Sequence, residues 1–347
     1  MRTHSSQRRV TLHDIANETG YSINTVSHAL RNMTDISPAT RERIQQVARD
    51  MGYMGNQIAS SLRSGRTKTI AVVLGNLTNP YYSIMADHIQ TAADLRGYSL
   101  MITCSREDPA QELAQAESAI ARRVDGILLF PTNESTATIE RLRALRFPFV
   151  LMSRSLGLDT ADSVVTDEET GAYLAARHIL EHGCRNPLYI SRQYIVYSYE
   201  KRLAGFIRAC EEYGIPQERR HIFLSIPRDA TDPSSRDWQA STRTALQAYR
   251  DQGVDGIFAF CDSEAWQLQT MIQEDDALRG WRYAMVGFDN IQKAQQYPSP
   301  LCSIDCSYSE MALEAIDLLR SRIHGDTSAP KTIVCPVQLA CRESCAI

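Results

Sequence analysis

From Thr69 onward the chain alternates short apolar runs with longer stretches of helical periodicity, and this alternation restricts the fold more than any other feature. The runs are Ile70 to Leu74, Leu100 to Thr103, Gly126 to Phe130, Phe149 to Met152, Leu188 to Ser191, Ile222 to Ile226, Gly256 to Phe260 and Ala284 to Gly287. A strand that returns to its neighbour through a helix must lie parallel to it, so the pattern predicts parallel sheets with helices on both faces. Val124-Asp125-Gly126-Ile127 recurs as Val254-Asp255-Gly256-Ile257, each time at the start of an apolar run. The echo predicts two similar α/β lobes with a ligand cleft between them.

Ahead of this region the signals change. Thr11 can cap a helix over Leu12 to Thr19, with Asp14 in capping-box position and Gly20 as the break. Ser22 can cap a second helix, Ile23 to Leu30, and Ser37 a third, with Pro38 at the tolerated first position and Gly52 as its end. The first two, with only Gly20 and Tyr21 between them, have helix-turn-helix spacing. On the second, Val26, Ala29 and Leu30 form an inward stripe, while Ile23, Asn24, Ser27 and His28 share the opposite face. That face suits a major groove: Asn bridges adenine N6 and N7, His donates to guanine N7 and Ile meets a thymine methyl, with Thr25, Ser27 and nearby arginines on phosphates. Charge points the same way. Residues 1–68 hold ten Arg or Lys against five Asp or Glu, a balance of +5, and the remaining 27 basic and 36 acidic residues come to −9.

Other classes lack their signatures. The nine cysteines are scattered without C-x-x-C, so reduced thiols are expected rather than a disulfide framework or a zinc ribbon. No catalytic residue and no cofactor are expected, since G-x-S-x-G, H-E-x-x-H, the P-loop pattern and G-x-G-x-x-G are all missing. His178, Glu181, His182 and Cys184 have metal-compatible spacing at a helix end, where surface polarity is the simpler reading, so no metal is expected. No apolar stretch approaches a membrane span and the basic start does not lead into a signal core, so a cytoplasmic chain without a membrane partner is expected.

Val10-Thr11-Leu12-His13-Asp14-Ile15-Ala16, Thr25-Val26-Ser27-His28-Ala29-Leu30, Ser37-Pro38-Ala39-Thr40-Arg41, Gly52-Tyr53 and Asn56-Gln57-Ile58-Ala59 occur in this order. In residues and spacing they resemble the head of the lactose/galactose-repressor (LacI/GalR) family. The resemblance runs on through Asn79-Pro80-Tyr81-Tyr82, Asp125-Gly126, Arg202-Leu203-Ala204-Gly205-Phe206, Val286-Gly287-Phe288-Asp289 and Arg342, covering essentially the whole chain. It implies an all-α helix-turn-helix head at 1–54, a hinge helix or linker at 55–67, and a two-lobed, periplasmic-binding-protein-like effector and dimerisation core at 68–347. The lobes would comprise about 68–166 with 306–327, and 167–305 with 328–347. The chain stops soon after Arg342, so no tetramerising coiled coil is expected.

Carried over residue by residue, the resemblance makes Ile23, Asn24 and His28 base readers and brings Asn56, Ala59 and Leu62 to the DNA, Leu62 as a minor-groove wedge. Effector contacts would be Tyr82, Arg154, Asp167, Arg202, Asp289 and Tyr308. Arginine forks, carboxylates and an aromatic face suit a sugar. Three residues depart from the family's usual choice: His28 where Arg is common, Arg31 where Asn is common, and Gly55 where Pro precedes the hinge. Cys261 replaces an Asn found in sugar-responsive relatives, and Trp266 either lines the cleft or fills the core. The implied function is a ligand-responsive repressor that binds a double-stranded, pseudo-palindromic operator as a homodimer. A sugar-binding receptor without DNA function and a purine-type, corepressor-dependent repressor are the alternatives.

Overall fold

The computed structural model describes residues 10–54, 65–132, 135–156, 160–191, 197–224, 236–295 and 300–345. Contacts divide the chain into two compact units, Met1–Thr67 and Lys68–Ile347.

In the first unit, α1 (Leu12–Thr19), α2 (Ile23–Leu30) and α3 (Pro38–Asp50) start where the capping residues place them. The Thr11 amide donates to the Asp14 carboxylate at 2.8 Å and the Asp14 amide donates back to the Thr11 hydroxyl at 3.4 Å. Ser22 and Ser37 accept from the amides of Thr25 and Thr40 in the same way. Gly20 ends α1 in the left-handed region at φ 75°, a conformation that costs glycine nothing. One small core closes the unit: Ile15, Ala16, Val26, Ala29, Ile44 and Ala48, flanked by Leu12, Leu30, Val47 and Met51.

The second unit contains two six-stranded sheets. The strands are β1 (Thr69–Leu74), β2 (Ser99–Cys104), β3 (Gly126–Leu129), β4 (Phe149–Met152), β5 (Ser163–Thr166), β6 (Pro187–Ser191), β7 (His221–Leu224), β8 (Gly256–Ala259), β9 (Ala284–Asp289), β10 (Cys302–Asp305), β11 (Thr332–Cys335) and β12 (Gln338–Ala340). The helices are α4 (Pro80–Leu95), α5 (Pro109–Ala121), α6 (Ala137–Ala144), α7 (Glu168–Glu181), α8 (Tyr197–Glu212), α9 (Arg236–Asp251), α10 (Asp262–Glu274), α11 (Gln292–Gln295) and α12 (Tyr308–Ile323). The first sheet has the order β11-β5-β4-β3-β1-β2 and the second β12-β10-β9-β8-β6-β7. All described pairings are parallel except β10 with β12. The chain passes between lobes at Asp167, at Cys306-Ser307 and at Pro336-Val337.

The tetrapeptide echo is structural. Asp125 accepts the Lys68 amide at the foot of β1, and Asp255 accepts the amides of Arg185 and Asn186 at the foot of β6. Each glycine that follows opens the next strand, β3 or β8, under a packed side chain. A Cβ on Gly126 would stand 2.9 Å from Leu319, and one on Gly256 would stand 2.2 Å from Ile179.

One boundary differs from the expectation. Residues from 328 onward were assigned to the second lobe, yet β11 lies parallel to β5 in the first sheet. The Ser163 amide donates to the Lys331 carbonyl at 3.0 Å, and the hydroxyls of Ser163 and Thr332 share a hydrogen bond at 2.8 Å. A bare sheet edge leaves backbone groups unpaired, and β11 covers that edge before the last crossing. Among the described residues no helix is long and apolar enough to cross a membrane.

Helices α7 and α8 pack closely because Gly205 lacks a side chain: a Cβ there would lie 2.2 Å from the Glu169 carbonyl oxygen and 2.7 Å from the Tyr173 amide nitrogen. Alanine gains about 1 kcal/mol of helix propensity over glycine. Overpacking against rigid backbone costs about 1–3 kcal/mol or more, so Gly205→Ala should lower the urea midpoint. Ala204→Ser on the exposed side should leave it nearly unchanged. A midpoint for Gly205→Ala at or above wild type would refute the close approach.

Candidate DNA-reading face and inter-lobe site

On α2, Ile23 is 45% exposed and Asn24 is open to solvent, while Val26 and Ala29 are fully buried. The Thr25 hydroxyl is shared with the capping Ser22 at 2.8 Å. Ser27 does not belong to the outward face: it is buried, and the Arg31 side chain folds back so that Nε donates to the Ser27 carbonyl at 3.1 Å. A small residue at the margin of the packed stripe is easily covered by a long neighbour.

His28 is tied to a residue that the sequence reading missed. Its Nδ1 lies 2.6 Å from the Asp35 carboxylate in the loop before α3. An ionised carboxylate only accepts, so an Nδ1 proton is the one that faces Asp35, and Nε2 is the nitrogen left for a base. Without a proton on Nε2, His28 accepts from an amino group of cytosine or adenine; with one, it donates to guanine N7. Arg41 donates to the carbonyls of Met33 and Ile36 and so fixes the same loop. Asn56, Ala59 and Leu62 lie outside the described residues.

In the second unit, the sequence-derived effector residues collect into two sets. On the first lobe, the Tyr82 hydroxyl in α4 donates to Glu107 at 2.6 Å, and Arg154, after β4, reaches the other Glu107 oxygen at 3.0 Å and the Pro131 carbonyl at 2.8 Å. Burial raises the Tyr82 phenol pKa above its ordinary value; Arg154 opposes the shift, while Glu107 and Asp289 add to it.

On the second lobe, Arg202 in α8 is almost entirely buried between the rings of Phe288 and Phe260, with centroids 3.6 and 4.3 Å from its guanidinium carbon. Its Nε donates to Glu168 at 2.6 Å, Nη1 donates to the Phe260 carbonyl, and Nη2 lies 3.7 Å from Asp289. Burial pushes the Asp289 carboxyl up to about 6, against the pull of Arg202 and with help from Glu168. The Cys261 thiol, at the start of α10, is pushed up mainly by burial and also by Glu264 and Asp289.

The other two expected contacts are already engaged. Asp167 caps α7, accepting from the Thr170 amide at 3.1 Å. The Tyr308 hydroxyl donates to the Asp289 backbone carbonyl at 2.8 Å, tying α12 to β9. Trp266 is half-buried and packs against the core of the second lobe. Glu107 and Glu168, which organise the two arginines, were not singled out from sequence. The spaced set His178, Glu181, His182 and Cys184 turns to separate partners: His182 Nδ1 to the His178 carbonyl, Glu181 to Tyr213, and Cys184 to the Asp255 carbonyl.

With this geometry described, comparison with known proteins is decisive at the level of family. Residues 11–56 match the bacterial regulatory proteins of the lacI family, and residues 176–345 match the periplasmic binding protein-like domain. The chain belongs to the lacI family of transcriptional regulators. The regulator DegA of Bacillus subtilis is 28% identical over 341 residues, covering 97% of this chain and 98% of DegA. A structure of the Lac repressor dimer bound to operator and the anti-inducer ONPF shares the fold with a TM-score of 0.78 at 21% identity, covering 98% of this chain and 100% of that one. A CelR–cellobiose complex does so with a TM-score of 0.67 at 23% identity, covering 97% and 100%. These lacI-family relatives are transcriptional regulators, not enzymes.

The raised Asp289 pKa carries a pH signature. Well below pH 4 the carboxyl is protonated in the folded and the unfolded chain alike. Between its ordinary value near 4 and about 6, the folded chain retains a proton that the unfolded chain releases, so stability falls as pH rises. Two pKa units amount to about 3 kcal/mol. The stability difference between wild type and Asp289→Asn, followed by urea unfolding from pH 4 to pH 7, should therefore move by up to that amount against wild type; a flat difference would contradict it.

Proposed function

We propose that this chain is a homodimeric repressor working in the cytoplasm. Residues 1–54 and the 55–67 linker hold a pseudo-palindromic operator, and a small polyhydroxylated effector, a sugar or sugar derivative, binds between the lobes of the 68–347 core. The observation that carries the reading is the pair of charged hydrogen-bonding sets in the core, Tyr82–Glu107–Arg154 on one lobe and Glu168–Arg202–Asp289 on the other. Forks and carboxylates held in fixed directions suit vicinal hydroxyls, and the two arginines also suit an acidic sugar. The ligands in the Lac repressor and CelR structures support this class. In the head, Ile23, Asn24 and His28 read bases, Thr25 lies beside the backbone, and Asn56, Ala59 and Leu62 meet the minor groove.

An effector acts only through different affinities for two states of its protein, so it must favour one arrangement of the lobes and with it one spacing of the two heads. Its sign, inducer or corepressor, follows from which arrangement the operator prefers.

Removing the head tests the first half. Selection from fragmented DNA by the full chain should yield a sequence whose affinity falls steeply with salt, and a chain beginning near Thr69 should not bind it. In the full chain, Asn24→Ala and His28→Ala should each relax preference at particular operator positions by about 1–3 kcal/mol. Unchanged preferences would remove these residues from the reading face.

The second half is tested by thermal shift of the full chain against sugars, sugar acids and nucleobases, because a ligand stabilises the folded state by mass action. A sugar-class ligand should raise the midpoint, and Tyr82→Phe and Asp289→Asn should reduce the rise. These variants are better probes than Arg202→Ala, which leaves buried Glu168 without its cation and is expected to cost about 3–5 kcal/mol of stability. A nucleobase response alone would favour a purine-type corepressor, and full response in both variants would place the effector elsewhere.

A further inference from the structure

Away from the inter-lobe site, the second lobe brings together three side chains from segments far apart in sequence. His178 lies on α7, Cys302 on β10 and Cys345 in the tail after β12, and their ligand atoms all lie within 4.8 Å of one another. We propose that His178, Cys302 and Cys345 form a site for a thiophilic divalent metal, Zn²⁺ by the chemistry of its donors.

The donors are built into the lobe. His178 is 6% exposed, Cys302 0% and Cys345 1%. His178 Nε2 is buried and makes no hydrogen bond of ordinary geometry, although the imidazole lies against the Cys302 thiol. A metal at the sulfur cluster would satisfy it. The tail that delivers Cys345 is held by its neighbours: the Ser344 hydroxyl donates to the Met285 carbonyl at 2.6 Å and accepts the Cys302 amide at 2.7 Å, and Arg342 reaches Asn290 at 2.7 Å.

The Arg342 backbone amide donates to Cys302 Sγ at 3.1 Å, a contact suited to a metal-bound sulfur. Zn²⁺ would bind the two sulfurs as thiolates, releasing any thiol protons to solvent, and an imidazole nitrogen of His178. Two thiolates then balance the dication, and water would take the fourth position.

Tetrahedral zinc with nitrogen and sulfur ligands separates those ligands by roughly 3.5–4 Å, so the 4.8 Å limit here requires only a small contraction. His178 lies ten residues beyond Glu168 on α7, roughly 15 Å along the helix, which separates this site from the inter-lobe one. Occupancy would fasten α7, β10 and the tail to one another.

The test uses the full-length chain, purified with a non-metal-binding reductant, equilibrated with Zn²⁺ and dialysed, with metal measured by mass spectrometry. One zinc per chain is expected. Cobalt in its place should show thiolate-to-metal charge transfer and tetrahedral visible bands. His178→Gln, Cys302→Ser and Cys345→Ser should each weaken zinc binding at least tenfold, whereas Cys335→Ser, at a buried thiol in the other lobe, should not. Circular dichroism of each variant distinguishes loss of the ligand from loss of the fold, and the cobalt spectrum of wild type remains a test if a variant fails to fold. Sub-stoichiometric zinc in reduced wild type, equal binding by the variants, or a cobalt spectrum without thiolate bands would overturn the assignment. So would a Cys302–Cys345 disulfide as the sole modification, with no metal taken up after reduction.

Discussion

The second lobe is organised around the buried charge of Arg202. An unpaired guanidinium out of water costs far more than a domain's net stability, so its position is tolerable only with partners on several sides. They come from separate segments: Glu168 from the start of α7, the Phe260 carbonyl from the end of β8, Asp289 from the end of β9, and the rings of Phe260 and Phe288 above and below. The close approach of α7 to α8 at Gly205 brings Glu168 within reach of that guanidinium. One cation faces two carboxylates, and burial above all, with the nearby Glu168 adding to it, holds the Asp289 carboxyl up at about 6 against the pull of Arg202.

Much of this architecture was legible before any coordinates, where the deciding interactions are local. The caps at Thr11, Ser22 and Ser37 act within four residues of the chain, and the helices begin there. The apolar runs recur as β1 to β4, β6, β8 and β9, with β7 at the start of its run, because buried parallel strands need continuous apolar sequence. Strands β5, β10, β11 and β12 were missed. In β5, β10 and β12 the residues Ser163, Thr166, Ser303, Asp305 and Gln338 interrupt the apolar run, whereas β11 is as long and as apolar as strands that were found. Ser27 was misplaced because helical spacing gives the face of a side chain but not the neighbour that folds over it.

The candidate sites were legible only by half, for a related reason. Arginines and tyrosines could be named from sequence, but their acidic partners could not. Glu107 lies 47 residues from Arg154, and Glu168 lies 34 from Arg202. Asp35 lies only seven residues from His28, yet it meets His28 through a loop whose path depends on Arg41 holding the Met33 and Ile36 carbonyls. These partners decide the chemistry: Asp35 leaves Nε2 of His28 as the nitrogen for a base, Glu107 orients Tyr82 and Arg154 together, and Glu168 leaves Asp289 as the weaker partner of Arg202. A list of functional residue types therefore carries less information than the pairings among them.

Three non-glycine residues close to the meeting of the lobes have left-handed backbone. Asp289 has φ 95°, Asn290 φ 50° and Ser307 φ 51°, left-handed conformations that non-glycine residues adopt at a cost of order 1–3 kcal/mol each. Side chains and backbone hold all three in place. Tyr308 donates to the Asp289 carbonyl, the Asn290 amide donates to Ser303, and the Ser307 amide donates to Asp305 beside the second crossing. The Tyr308–Asp289 bond spans the lobes, since α12 packs on the first sheet and β9 belongs to the second. Any rotation of one lobe against the other must either carry that bond along or break it, and breaking it frees the backbone of the residue whose carboxylate faces Arg202. Strain, the inter-lobe bond and the half-paired acid thus converge on Asp289, so a ligand that engages this carboxylate acts on the joint between the lobes as well as on its own binding site.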